Sequence, residues 1–90
     1  MSTGIDRRTE QRRNIEGEGI LSMTTPQFLS FPCRLLDASD HGFRAAHECA
    51  DLIAGSQVQL ESEITGTVMA RVIWTAIMGD HIESGFYILS

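Results

Sequence analysis

From Thr67 to Ile77 the side chains alternate as an extended strand requires, with Val68, Ala70, Val72 and Trp74 on one face and Met69, Arg71, Ile73 and Thr75 on the other. Both faces are mostly apolar, so the strand has to be covered twice: by the core on one side, and by a neighbour, a ligand or a partner on the other. The chain has only 90 residues, and in a domain of that size the core is thin and every apolar strand face counts.

The remaining segments supply the sheet this strand needs. Glu18 to Thr24 reads as a first strand on Gly19, Ile20, Leu21 and Met23, with Thr25-Pro26 ending it. Gln27 to Leu36 is a second, interrupted at Pro32, whose missing N–H fits only an edge or a bulge. Phe43 to His47 is a third. Val58-Gln59-Leu60-Glu61 alternates over a strand ending near Ile64, Thr65-Gly66 turns into the strand from Thr67, Gly79-Asp80 turns out of it, and Ile82 to Leu89 closes a hairpin. Ala50 to Gly55 is too short for a regular helix and reads as a helical turn or compact loop. Short strands, evenly spaced turn signals and no long helix point to an all-β antiparallel barrel or sandwich. A barrel suits the length better, because closure removes edges that so small a sheet could not protect.

The composition, 42% hydrophobic and 21% charged, is that of a chain that folds. No apolar run is long enough to cross a bilayer, and the polar, arginine-bearing N-terminus lacks the apolar core of a signal peptide, which places the chain in the cytoplasm. Cys33 and Cys49 are too few for a disulfide framework and lack the spacing of a redox or zinc pair, so they read as small hydrophobes. His47-Glu48-Cys49 with His41 or His81 repeats no recognised ligand spacing, and no metal is expected.

The charge is distributed unevenly. All seven basic residues are arginine, and Arg7, Arg8, Arg12 and Arg13 lie with Asp6 and Glu10 in the first thirteen positions, a segment of net charge +2. Residues 14 to 90 hold Arg34, Arg44 and Arg71 against ten acids, a net of −7. So acidic a body will not hold a long nucleic acid through counterion release, and six aromatics are few for a small barrel that stacks single-stranded RNA. Residues 1–16 show no trustworthy strand or helix period and read as a flexible basic arm, with residues 17–90 forming the barrel.

Two motifs carry the functional reading. In the arm, Arg8-Thr9-Glu10-Gln11-Arg12 fits R-x-x-x-R. Between the second and third strands, Asp37-Ala38-Ser39-Asp40-His41-Gly42 fits [DN]-x-S-x-x-G. Taken alone the second is a bend, since Asp and Ser side chains bond nearby backbone and Gly tolerates positive φ. The two in this order and at this separation, with Leu52-x-x-Gly55-x-x-Val58-x-Leu60 and Ala70-Arg71-Val72-Ile73-Trp74 downstream, resemble the PilZ domain over most of the chain. PilZ domains are six-stranded β-barrels that serve as bacterial receptors for the second messenger cyclic di-GMP. The resemblance implies such a barrel here, with Arg8, Arg12, Asp37, Ser39 and Gly42 as the ligand-binding set.

The chemistry of that ligand suits these residue types. Cyclic di-GMP is a compact dianion with two guanine bases, and an arginine fork can lie bidentate on guanine, pair with a phosphate or stack on a base. If the arm is extended, the four steps from Arg8 to Arg12 span about 13 Å, enough to reach different parts of one nucleotide. The Asp37 carboxylate can accept from guanine N–H groups, Ser39 can bond base or phosphate, and Gly42 would let backbone approach closely. Arg7 and Arg13 read as added charge for steering, His41 as an exposed turn histidine, and Trp74 as core or interface.

Family members often carry a helix after the last strand, and little or none is expected here, which leaves a barrel face open; a homodimer would cover it. The expected function is thus a receptor whose arm closes over the nucleotide to form a surface for a protein partner. The competing reading is an interaction adaptor that kept the barrel and lost the ligand. No Ser-His-Asp order, paired-carboxylate pattern or metal spacing supports an enzyme, and no cofactor is called for.

Overall fold

The structure, a computed structural model, describes residues 13–24 and 27–89, with side chains from residue 17 onward. Six strands follow in chain order: β1 (Arg13–Met23), β2 (Leu29–Ala38), β3 (Gly42–His47), β4 (Gln57–Ser62), β5 (Gly66–Ile77) and β6 (Ile82–Ile88). They form a closed antiparallel barrel in the order β1-β2-β3-β6-β5-β4, with β4 returning to pair with β1. The all-β barrel that the alternating segments call for is therefore the fold. Glycines at positive φ make the two turns read from the sequence, Gly66 (φ 71°) entering β5 and Gly79 (φ 84°) leaving it.

Alternation fills the interior. Leu21, Leu35, Phe43, Val58, Leu60, Val72 and Phe86 point inward and are buried, each contributing about 1.5–3 kcal/mol by leaving water. Phe43 and Phe86 stack with ring centroids 4.5 Å apart at the centre of this core. The connection from β3 to β4 contains turns and no helix. It drops Leu52, 2% exposed, into the core and is fastened to β5 by Gly55 N–H to Val72 O (2.7 Å) and Val72 N–H to Ser56 O (2.9 Å). Pro32 sits where the sequence permits it: β3 pairs only with Arg34–Ala38, so the first half of β2 has β1 on one side and no ladder on the other.

Two expectations are corrected. β1 starts at Arg13, so residues 13–16, assigned to the arm, belong to a strand. The alternation that would have revealed them is interrupted, because residues 15 and 16 together oppose Leu36 alone. Trp74 does not share a face with Val72 either. Ile73 is an extra residue between the pairs Val72–Phe86 and Trp74–Gly85, and a one-residue slip sends every later side chain to the opposite face.

Candidate functional site

The hairpin joining β2 to β3 is tight. Ser39 N–H donates to the Gly42 carbonyl at 2.8 Å, leaving Asp40 and His41, both exposed, as a two-residue loop between twisted strands. Ser39 Oγ lies 3.4 Å from the same carbonyl, a long bond for a hydroxyl, so it can turn to a ligand at small cost. The His41 carbonyl accepts from Ile88 N–H at 2.7 Å and ties the loop to the last strand. The role expected of Gly42 changes. A Cβ there would collide with the Phe86 carbonyl oxygen, so its missing side chain lets β3 and β6 approach each other.

A bulge sets the position of Asp37. Simple alternation would send Cys33, Leu35 and Asp37 inward together, which would place a carboxylate in the core. Leu36 is an extra residue against β3, so Asp37 pairs across with Arg44. Asp37 is 7% exposed, and Arg44 Nε and Nη2 both donate to its Oδ2 at 3.0 Å. Arg44 Nη1 reaches Glu83 Oε1 at 3.4 Å. Glu83 Oε2 lies 3.3 Å from His81 Nε2, and His81 Nδ1 lies 2.9 Å from Asp80 Oδ1. The bonds from Asp80 and Glu83 hold the His81 imidazole above its ordinary pKa. The result is a string of alternating charge from β2 to the turn before β6.

Ile73 does for Trp74 what Leu36 does for Asp37. Turned outward, the Trp74 indole lies across Gly85, where any Cβ would meet the ring. Asn14, Asp37, Arg44, Gly85 and Trp74 thus make one transverse row across β1, β2, β3, β6 and β5. Beside this row is a groove of about 490 Å³ lined by Ser39, His41, Gly42, Arg44, Ile73, Trp74 and Tyr87, within the range of about 300–1,000 Å³ usual for small-molecule sites. Trp74 and Tyr87 are 40% and 50% exposed. Two aromatic faces beside a guanidinium can stack a planar base.

A larger recess of about 760 Å³ lies beyond the end of β3, lined by Phe31, Cys33, Arg34, His47, Cys49 and His81 among others. Its chemistry is structural. His47 Nδ1 accepts from Cys49 N–H at 3.2 Å, so the ring proton is on Nε2, 2.8 Å from Ser84 Oγ, and Ser84 donates in turn to Thr75 Oγ1 at 3.0 Å. Burial, aided by nearby His81, lowers the pKa of His47 and keeps it neutral. Burial pushes the Cys33 thiol up to about 11, which makes it a poor nucleophile. Among the described residues no group of three or more His, Cys, Asp or Glu could hold a metal ion.

Of the residues singled out from the sequence, Asp37, Ser39 and Gly42 sit on one hairpin. Arg8 and Arg12, with Arg7, lie outside the described residues. The chain enters β1 at Arg13, opposite Ala38, with Asn14 opposite Asp37, so the leader is attached at the bend itself. Arg44, Glu83 and Tyr87 were not singled out for the site, and only the isolated arginine among Phe43, Ala45 and Ala46 and the glycine inside β6 marked the face. No protein-family model matches this chain, and no curated protein matches it.

Proposed function

We propose that the barrel is a receptor for cyclic di-GMP in bacterial second-messenger signalling. In this reading Arg8 and Arg12 close over a nucleotide seated against Asp37, Ser39 and Gly42. The observation that carries it is the register of β1 on β2. Arg13, the residue that follows the first motif, opposes Ala38, and Asn14 opposes Asp37, so the chain joins the barrel beside the second motif, where an acceptor-rich bend and an aromatic groove lie side by side. Guanine supplies the planar face for Trp74 and Tyr87 and the N–H donors for Asp37, while the phosphates take the arginines. Arg44 positions the Asp37 carboxylate. The complex then offers a new surface to a cytoplasmic protein partner.

The Asp37–Arg44 pair also favours a second reading, because a carboxylate already held by a neighbour suits an interaction adaptor that binds no nucleotide. Calorimetric titration with cyclic di-GMP separates the two. The receptor binds at micromolar concentration or tighter, and Asp37→Ala and Arg12→Ala each weaken binding at least tenfold, as expected for charge-assisted bonds worth about 1.5–3 kcal/mol. A wild-type protein that gives no heat of binding in dilute buffer is the adaptor.

A further inference from the structure

Arg44 lines the groove with its charge already engaged. Directly across on β6 it opposes Gly85, which has no side chain to offer, so the guanidinium reaches diagonally to Glu83. Its contacts are unequal. Nε and Nη2 hold Asp37 Oδ2 at 3.0 Å, while Nη1 lies 3.4 Å from Glu83 Oε1, long for a charge-assisted bond. Nη1 is therefore the corner of the fork that a ligand anion can take at least cost, and Glu83 stands in its way.

How firmly Glu83 holds that corner depends on His81. Both ring nitrogens face carboxylates, Nδ1 toward Asp80 Oδ1 at 2.9 Å and Nε2 toward Glu83 Oε2 at 3.3 Å. A neutral imidazole has one N–H and one lone pair, so only the imidazolium can donate to both. Once the proton leaves, the shorter bond keeps the remaining N–H on Nδ1, a lone pair on Nε2 faces Glu83, and the whole Glu83 charge is left to Arg44. The recess that His81 shares is also lined by Glu18 of β1, Cys33 and Arg34 of β2, His47 of β3, and Glu48 and Cys49 beyond it. Burial keeps His47 neutral and Cys33 a thiol. Among the described residues none of these six makes a hydrogen bond or ion pair with His81, Glu83 or Arg44, so Asp80 and Glu83 are the groups that hold its proton.

We infer that Glu83 is a mask over Arg44 that protonated His81 withdraws, so that Arg44 becomes an anion contact of the groove and cyclic di-GMP binds more tightly as pH falls. The inference rests on the receptor reading above. Its sign follows from charge. The string from Asp37 to Asp80 gains one positive charge when His81 is protonated, which favours a dianion, and Glu83 then shares its charge with the imidazolium and competes less for Nη1. The coupling is reciprocal: a nucleotide on Arg44 strengthens the hold of His81 on its proton, so binding takes up protons from solution.

The test is calorimetric titration of wild type, His81→Gln and Glu83→Gln with cyclic di-GMP from about pH 8 to 6, a range in which neither phosphodiester nor guanine changes charge. Wild type should bind about two- to fivefold more tightly at the acid end, the range that exposed charge pairs span. Its heat of binding should also vary with the ionisation enthalpy of the buffer, because a proton is taken up. His81→Gln should show neither the rise nor the buffer dependence. Glu83→Gln should bind at every pH at least as tightly as wild type does at the acid end, whereas replacing a residue that merely braced Arg44 would weaken binding throughout. A pH-independent wild type, a slope of equal size in either variant, or a loss of affinity in Glu83→Gln overturns the inference and leaves the receptor reading standing. No binding by wild type at any pH overturns the receptor reading and takes this inference with it.

Discussion

His47 is 4% exposed, and its two ring nitrogens are committed to the Cys49 amide and the Ser84 hydroxyl. A proton added to Nδ1 would face an N–H donor, and burial already opposes the charge. In the unfolded chain the same imidazole titrates near its ordinary value of about 6.5. As pH falls below that value the unfolded state takes up a proton that the folded state refuses, so stability falls until pH passes the lowered folded value. His81 acts with the opposite sign. Asp80 and Glu83 raise its pKa, so its contribution is present below about 6.5 and is lost as pH rises through the folded value; because it is exposed to solvent, that contribution is screened and small. Urea midpoints measured from pH 7.5 to 5.0 should therefore fall for wild type and for His81→Gln, and stay nearly flat for His47→Gln, whose amide can still bond Ser84. An acid limb of equal slope in His47→Gln would assign the proton uptake to another group.

At the scale of strands, the site is made by bulges. The three slips in the ladders, at residues 15–16, at Leu36 and at Ile73, all adjoin the row that runs from Asn14 to Trp74. Each re-aims the residues beyond it, which is what bulges do beside binding sites. Deleting Leu36 should remove the bulge and leave Asp37 directly after Leu35, on the outward face and still opposite Arg44, with Ala38 opposite Phe43. The deletion protein should therefore keep dispersed amide resonances and cooperative melting. Deleting Ala38 instead takes an apolar residue off the inner face, and should lower the urea midpoint well below that of the Leu36 deletion. A Leu36 deletion that lost cooperative melting would mean that the bulge itself, and not the face it gives Asp37, holds the bend together. The same feature explains how far the sequence could be read. Strand existence and the turns at Thr65-Gly66 and Gly79-Asp80 follow from alternation and from glycine, and both were legible. The bend from Asp37 to Gly42 was legible too, because its residue types are specific to bends. A bulge leaves no such mark: Leu36 and Ile73 look like any apolar strand residue. The outward turn of Trp74 and the partnership of Asp37 with Arg44 were therefore hidden, as was the start of β1 at Arg13. The reason for Gly42 was hidden for a different cause, since the carbonyl it makes room for belongs to Phe86, half the chain away.

For the molecule as a whole, charge and fold are segregated along the chain. The buried hydrophobic residues run from Leu21 to Phe86, and the ladders that close the barrel join strands lying between Arg13 and Ile88, whereas four of the seven arginines fall within the first thirteen residues. Removing residues 1–12 should therefore leave the far-ultraviolet circular dichroism and the melting temperature of the empty domain nearly unchanged, while abolishing the response to cyclic di-GMP. The size of that response follows from linkage. A ligand that binds only the native state at a hundred times its Kd stabilises it by about 2.7 kcal/mol. For a domain of this length each kcal/mol moves Tm by about 4–8 °C, so full-length protein should melt about 10–20 °C higher with saturating nucleotide, by less as salt screens the arginines, and the truncated protein should not shift. Because the two proteins share the bend and the groove, a shift that survived truncation would assign binding to the barrel face alone and leave the leader with no part in it. A truncated protein that melted well below the full-length one in the absence of nucleotide would instead give the leader a structural role.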